Sequence, residues 1–290
     1  MKITKFLIAN PGYMKWGAKR LAVKFKVSEL TALEQLKKAR TILNMVNNKN
    51  LKEKPKKEVQ NYARRKERYR PFKGSKDNVL VIGDLHEPFC LDSYLTFCRK
   101  QQEIFNCGTI VFIGDIIDNH WSSYHEIEPS ALSLESEFLA AKNRIKDWYE
   151  VFPNAMVCIG NHDRMVYRKA KTGGIASSWI KDFKDVLEVP GWIFKDEFEI
   201  NGVIYNHGEG GEAKAKVTQE LQSQVQGHLH SKGYCEILAG ANKYAFGMQV
   251  GCGINRSAYA FAYNQSGKKP VIACGVVLNR GTLPILIPMK

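Results

Sequence analysis

Residues 78–86 read NVLVIGDLH: a β-branched apolar run, too short for a helix, passes directly into a glycine and then into two side chains able to bind metal, Asp84 and His86. Such a run reads as a buried strand, and the residues just past its end sit at the carboxyl edge of a sheet, where open α/β folds place their ligands. In an extended chain residues i and i+2 share a side, so Asp84 and His86 face one site while Leu85 turns into the core. The same arrangement recurs at Gly227-His228-Leu229-His230, where two of the chain's 7 histidines flank a leucine.

Three further runs repeat the theme: TIVFIGDIID (109–118), AMVCIGNHD (155–163) and GVIYNHGE (202–209). Helix-like stretches lie between them. SLESEFLAAKNRIKDWYEVF opens on Ser133 in a capping box and places Phe138, Leu139, Ile145 and Trp148 at helical spacing. Strand and helix alternate, which argues for an α/β fold. The last segments, YAFGMQVGCGINRS, KPVIACGVVLNRG and LPILIPM, lose the helices and read as successive strands, so a second or mixed sheet is expected.

The strand ends assemble a donor inventory: Asp84, His86, Asp115, Asp118, Asn161, His162, Asp163, His207, His228 and His230, with His120 and His125 close by. Carboxylate, amide oxygen and imidazole together suit Mn²⁺, Fe²⁺ or Zn²⁺ better than Ca²⁺. The number of donors points to two ions, and one aspartate with two oxygens can bridge them.

Composition frames this inventory. The chain has 290 residues, 44% hydrophobic and 25% charged, as expected of a globular protein with room for about two domains. Its formal charge of +14 is uneven, with 22 Lys/Arg against 6 Asp/Glu in residues 1–78 and 21 against 23 in the remainder. The 7 cysteines are odd in number, lie mostly in apolar runs and form no C-x-x-C pair, which argues against a disulfide framework or a zinc ribbon and for a reducing, cytoplasmic setting. Neither a signal-peptide core nor a run of ~20 apolar residues is present, so no membrane partner is expected.

In their order and spacing, GDLH, GDIID, GNHD, NHGE and GHLH resemble the five blocks of the calcineurin-like metallophosphoesterase family, over roughly residues 79–232. The resemblance implies an α/β/β/α sandwich of two mixed sheets. It also implies that Asp84, His86, Asp115 and His230 hold one divalent ion and Asp115, Asn161, His207 and His228 a second, with Asp115 as the bridge. Manganese is the expected ion, and iron or zinc also fit. Two cations ~3.5–4 Å apart make hydroxide available near neutral pH and neutralise phosphoryl charge, so the implied reaction is phosphoester hydrolysis. His162, beside the ligand Asn161, is the implied general acid, oriented by Asp118 as in a His-carboxylate dyad.

Departures from the family bear on the substrate. The protein Ser/Thr phosphatase branch continues Gly-Asp-x-x-Asp with Arg-Gly, whereas Asp118 here is followed by Asn119 and His120. The terminal Gly-His-x-His is closer to the phosphodiesterase and nuclease branches, and GNHDRMVYRK is similar to phage and mobile-element members. Arg164, Arg168 and Lys169 could grip phosphate or form a solvated basic face. His120, Trp121, Tyr124 and His125 lie in a loop beside the site, where an aromatic could stack on a base or pack under a lid.

The N-terminal quarter reads separately. Leu21, Ala22 and Phe25 share a helical face, Lys26-Val27-Ser28 interrupts it, and Leu30, Leu33, Leu36 and Ile42 resume it, with either Ser28 or Thr31 (boxed with Glu34) as cap. This resembles a helix-turn-helix that reads DNA, although any small helical bundle has the same periodicity. The expected organisation is a helical unit over 1–46, a basic linker or arm over 47–77 and a metallophosphoesterase domain over 78–290. Together these features point to a phosphodiesterase acting on nucleic acid. The alternatives are a phosphomonoesterase or nucleotide phosphatase localised by its N-terminal unit, and a non-enzymatic DNA-binding regulator.

Overall fold

A computed structural model of the chain describes residues 2–49, 72–122, 132–258 and 268–290. Backbone contacts divide it into two compact units, 1–61 and 62–290.

In the smaller unit, helices α1 (Lys2–Ala9), α2 (Ala18–Phe25) and α3 (Glu29–Lys49) enclose a core of Ile3, Leu7, Leu21, Ala22, Ala32, Leu36 and Ala39. α2 ends where Lys26 adopts a left-handed conformation, and Ser28 caps α3 by accepting from the Thr31 amide at 3.1 Å, which decides between the two starts left open by the sequence. The buried stripe of α3 is only partly the expected one: Leu36 is buried, and the side chain of Ile42 lies outside the described residues. Leu30 and Leu33 are exposed, and the smaller Ala32 and Ala39 face inward with Leu36, because close helix packing favours small side chains at the contact.

In the larger unit, β1 (Ser75–Ile82), β2 (Cys107–Phe112), β3 (Ala155–Cys158) and β4 (Trp192–Lys195) run parallel and in that order. Antiparallel β10 (Ala273–Leu278) and β11 (Leu283–Pro288) extend the sheet on the β1 side. Parallel neighbours need long crossovers, which α4 (Asp92–Ile104) and α5 (Leu134–Val151) provide. The second sheet has the order β5 (Glu197–Ile200), β6 (Val203–Asn206), β7 (Ser223–Gln226), β9 (Tyr244–Gln249), β8 (Tyr234–Ala239). The pairs β6/β7 and β7/β9 are parallel and the outer pairs antiparallel, so both sheets are mixed.

The strand period of two sorts the core. Val79 and Val81 of β1 face the second sheet and pack with Val225, Phe246 and Met248. Leu80 and Ile82 face the other way, into a layer with Ile145, Trp148 and Val151 of α5. On the outer side of the second sheet, the helix Ala213–Glu220 buries Ala213 and Val217, and a Cβ at Gly247 would press on the Ala213 and Lys214 backbone. The layers are therefore helix, sheet, sheet, helix, the expected architecture. In α5, Ser133 is the N-cap, but Ser136 stands where a capping box has its glutamate: Ser133 Oγ accepts from the Ser136 amide and donates to Ser136 Oγ. Leu139, expected on the buried face, is exposed. All 7 cysteines are free, and all but the half-buried Cys235 are buried. Among the described residues no helix is long and apolar enough to cross a membrane.

One polar network lies inside this core. Glu87, fully buried, accepts from Arg144 Nε and, at 2.8 Å, from Trp148 Nε1. Arg144 also donates to Asp92 Oδ1 at 2.6 Å and to the Cys90 carbonyl at 2.8 Å. Helix α5 thereby holds residues 87–92, immediately after His86. Arg144→Met should leave the Glu87 carboxylate buried without its cation and lower stability by ~3–5 kcal/mol in urea unfolding, whereas Glu87→Gln with Arg144→Met together should recover part of it.

Candidate metal centre

Sheet register brings the donors together. Ile82 pairs with Phe112 and Phe112 with Val157, so the segments after β1, β2 and β3 leave the first sheet at one edge. Asn206 pairs with Gln226 in the second sheet, which places His207 and Gly227-His228 side by side. The loops are tied by main-chain bonds from His86 N to the Asp115 carbonyl (2.9 Å), from Gly227 N to the His207 carbonyl (3.1 Å) and from Gly253 N to the Asp84 carbonyl (2.8 Å).

The expected extended backbone is not found at these turns. His86, Asp115 and His228 have φ of 48°, 48° and 67°, a left-handed conformation that non-glycine residues seldom adopt and that marks functional sites. Leu229 N bonds the Gly227 carbonyl and His230 N the His228 carbonyl, so GHLH is a sequence of tight turns. His228 and His230 consequently reach different partners within the centre. The motif glycines have a steric role, because a Cβ at Gly160 would overlap Asp115 Oδ1 and one at Gly227 would overlap Asp84 Oδ1.

Two groups of donors result, sharing Asp115. In the first, His230 Nε2 lies 3.1 Å from Asp84 Oδ2, and His86 Nε2 lies 3.0 Å from His230 Nε2 and 3.4 Å from Asp115 Oδ2. In the second, His207 Nε2 lies 3.1 Å from Asp115 Oδ2 and 2.9 Å from Asn161 Oδ1, which is itself 3.0 Å from His228 Nδ1. The groups Asp84-His86-Asp115-His230 and Asp115-His207-His228 are each compact enough to hold one ion.

Each group turns imidazole nitrogens and carboxylate or amide oxygens toward one point, which fits a cation. The second nitrogens of the imidazoles are committed outward: His86 Nδ1 donates to Asp118 Oδ1 at 2.7 Å and His207 Nδ1 to the Ile113 carbonyl at 3.1 Å. That is the outer-shell pattern which fixes a metal-ligating imidazole with its free nitrogen inward. Asp84 Oδ1 is buried without a hydrogen bond, and Asp115 Oδ2 is buried and meets the rings of His207 and His86. Titration carries the same signature. Burial pulls His86 and His207 down, but the hydrogen bonds and charges of Asp115 and Asp118 raise His86 to about 10, and chiefly Asp115 raises His207 to about 9. Against the upward push of burial, His207 and His86 hold Asp115 well below the usual carboxylate range. Burial and the His207 charge lower His228. The inward-facing N and O donors suit a divalent ion of borderline character.

His162 stands at the edge of both groups. Its amide donates to Asp115 Oδ1 at 2.8 Å, and its ring meets the His86 ring edge to face at 4.5 Å between centroids. The group orienting it differs from the expected dyad: His162 Nδ1 is 2.5 Å from the Asp118 main-chain carbonyl and 3.5 Å from its carboxylate, which is engaged by His86. Burial and the neighbouring His86 lower its pKa.

The flanking candidates fare unevenly. Arg164 pairs with Asp196 at 2.8 Å and with Glu209, and Arg168 donates to the Ser122 carbonyl at 3.1 Å. Lys169 is exposed. Trp121 is half-buried, with Nε1 donating to the Leu132 carbonyl at 2.6 Å. His120 is fully buried and its amide is bound to Glu137, so its ring is not presented to substrate as expected. Tyr124 and His125 lie outside the described residues.

Two acids that the sequence left without a role are structural keys here. Asp163 accepts from the amides of Ile116 (3.0 Å) and Gly160 (2.9 Å), joining the GDIID and GNHD loops. Glu137 accepts from His120 N at 2.8 Å. Asp163 directly follows His162 in the GNHD block, which is a signal available in sequence; Glu137 sits on a helix far from any motif and offers none.

A divalent ion that takes the inward lone pairs must displace the protons held on His86 and His207. Titrating metal-free protein with Mn²⁺ near pH 8, in buffers of different ionisation enthalpy, should therefore release about two protons per molecule, with affinity rising as pH rises. Asp115→Asn should reduce both the proton release and the amount of metal retained.

Comparison with known proteins agrees with this geometry. The family model described as calcineurin-like phosphoesterase matches residues 78–244. Among solved structures, a single-mutant Vps29 from Entamoeba histolytica is 12% identical over 73% of this chain and 99% of its own, with a TM-score of 0.33. The Pseudomonas putida nuclease MPE is 13% identical over 73% of this chain and 87% of its own, with a TM-score of 0.32. Vps29 of Chaetomium thermophilum is 11% identical over 73% and 95%, with a TM-score of 0.35. No curated protein matches the chain. With five motif-bearing loops of the two sheets meeting at one centre and a family match over more than half its length, the chain belongs to the calcineurin-like phosphoesterase family and is a metal-dependent phosphoester hydrolase.

Proposed function

We propose that the protein is a dinuclear phosphodiesterase that hydrolyses nucleic acid. The observation that carries the reading is the meeting of seven donor side chains in two groups joined by Asp115. Asp84, His86, Asp115 and His230 would hold one ion, and Asp115, Asn161, His207 and His228 the other, with Mn²⁺ as the ion of choice and Fe²⁺ or Zn²⁺ also suited. Such a pair of cations supplies water activation near neutral pH and neutralises charge on the phosphoryl oxygens.

The chain's own residues supply the rest. Asp118 fixes His86 through Nδ1, and its carbonyl fixes His162 with Nδ1–H outward. Protonated His162 would thus deliver its Nε2 proton to the leaving oxygen and return to the neutral Nδ1–H tautomer. Arg164 stands at the start of helix α6 (Met165–Thr172), beside His162, and Arg168 lies one turn further on. Arg164 exchanges its exposed carboxylate partners for substrate phosphate at little cost, because solvated ion pairs contribute little. The nucleic-acid assignment rests on the N-terminal quarter, where 22 Lys/Arg stand against 6 Asp/Glu in residues 1–78. Within it, α2 and α3 form the pair proposed to dock on DNA, followed by the basic arm.

Mn²⁺-loaded protein should hydrolyse bis(p-nitrophenyl) phosphate faster than p-nitrophenyl phosphate and lose both activities to chelator; the reverse preference would select the monoesterase. His162→Gln should lower kcat ~10²–10⁴-fold on a dinucleotide, whose alkoxide leaving group needs a proton, and much less on the nitrophenyl ester, with metal content unchanged. Deleting residues 1–71 should weaken duplex DNA binding and flatten its dependence on salt, while leaving turnover of the small diester intact. Equal DNA affinity with and without that segment would remove the nucleic-acid assignment.

A further inference from the structure

Behind the His162 loop lies a cavity of about 310 Å³. Trp121, Phe138, Tyr167 and Phe183 wall it, with Glu137, Asn119, Ser122 and Lys181 among its polar members. Tyr167 and Phe183 pack edge to face at 5.2 Å between centroids. The cavity shares its boundary with the metal centre, since Ile117, Asn119 and Asp163 also line it and each adjoins Asp118 or His162 in sequence. The Asn119 amide nitrogen binds the His162 carbonyl at 3.0 Å, which couples the two walls directly.

Glu137 marks the kind of ligand the cavity takes. One carboxyl oxygen accepts from His120 N, and the other, Oε2, is buried and makes no hydrogen bond. Burial, and after it the charge of Asp118, raise the group to about 8, so at neutral pH it is a carboxylic acid with a proton to donate. A hydrocarbon in the cavity would leave that group without a partner, whereas a planar ring carrying a ring nitrogen or a carbonyl would satisfy it and stack on the aromatic walls. A mostly apolar pocket of this size with few polar groups is the usual form of a small-ligand site.

We propose that this cavity is a nucleobase pocket, in which a base of the substrate inserts between the aromatic walls and accepts a hydrogen bond from Glu137. The assignment of that base to the substrate rests on the phosphodiesterase reading, because the pocket lies one loop away from where the phosphate would be held. It would give the enzyme a grip on the nucleotide adjoining the scissile bond that owes nothing to the basic arm.

The test uses full-length protein freed of metal by chelation and two nucleosides without phosphate, adenosine and uridine, with binding read by saturation-transfer NMR and calorimetry. At least one should bind saturably. Val186→Trp, which fills the cavity, and Glu137→Leu should each weaken binding ~10-fold or more, and Glu137→Gln, which keeps a donor, should stay near wild type. Circular dichroism melts establish that each variant is folded, and Glu137→Gln and Val186→Trp carry the test if Glu137→Leu is not. Absence of saturable binding at millimolar nucleoside, undiminished binding by Val186→Trp, or toluene binding more tightly than either nucleoside would overturn the proposal. Turnover of bis(p-nitrophenyl) phosphate, which has no base, is scored separately. Turnover without nucleoside binding removes the pocket alone, and nucleoside binding without turnover removes the diesterase reading and keeps the pocket.

Discussion

Four aspartates, Asp84, Asp115, Asp118 and Asp163, lie within a few residues of one sheet edge with 0–4% of their surface exposed. Concentrating carboxylates away from water is unfavourable unless positive charge and donors surround them. Most of the local structure answers this demand. The amides of His162 and His228 turn to Asp115 and Asp84, those of Ile116 and Gly160 to Asp163, and imidazoles meet Asp115 and Asp118 from both sheets. Backbone amides can aim inward in this way only where the chain reverses tightly, and that is where His86, Asp115 and His228 take left-handed conformations. Charge, turn geometry and the glycines that admit it are one solution to one electrostatic problem.

Both sheets are needed for that solution. The first brings Asp84, Asp115 and Asn161 from neighbouring parallel strands, and the second brings His207 and His228 from its own parallel pair. Because β1 alternates Val79 and Val81 toward the second sheet with Leu80 and Ile82 toward the helices, a single strand fixes the spacing of both layers. The centre is therefore held by the buried core of both sheets, and its outer imidazole contacts end on a main-chain carbonyl and a buried carboxylate.

Much of this is legible in the residues themselves. Each strand carrying a motif has its chemistry at the carboxyl end, so pattern and position reinforce each other, and the layered architecture follows from the change from strand-helix alternation to strands alone. The features that sequence does not disclose depend on backbone conformation or on distant contacts. Spacing of i, i+2 suggests extended chain at His86 and His228, where the turns are left-handed. The resemblance pairs Asp118 with His162 as a dyad, but its carboxylate is nearer His86, on a different strand end. Glu137 has no motif to announce it, and α3 shows that helical periodicity alone does not choose between leucine and alanine for the packed face.

The cysteines have a consequence for how the protein acquires its ions. Burial raises the thiols of Cys98, Cys107, Cys158, Cys235 and Cys252 well above their ordinary range, Cys107 to about 12 and Cys235 to about 11. Sulfur binds soft and borderline ions as thiolate, and these groups stay protonated in neutral solution. These five thiols therefore compete for an arriving ion only at the cost of a proton held in an apolar setting, which leaves the advantage to the oxygen and nitrogen donors of the centre.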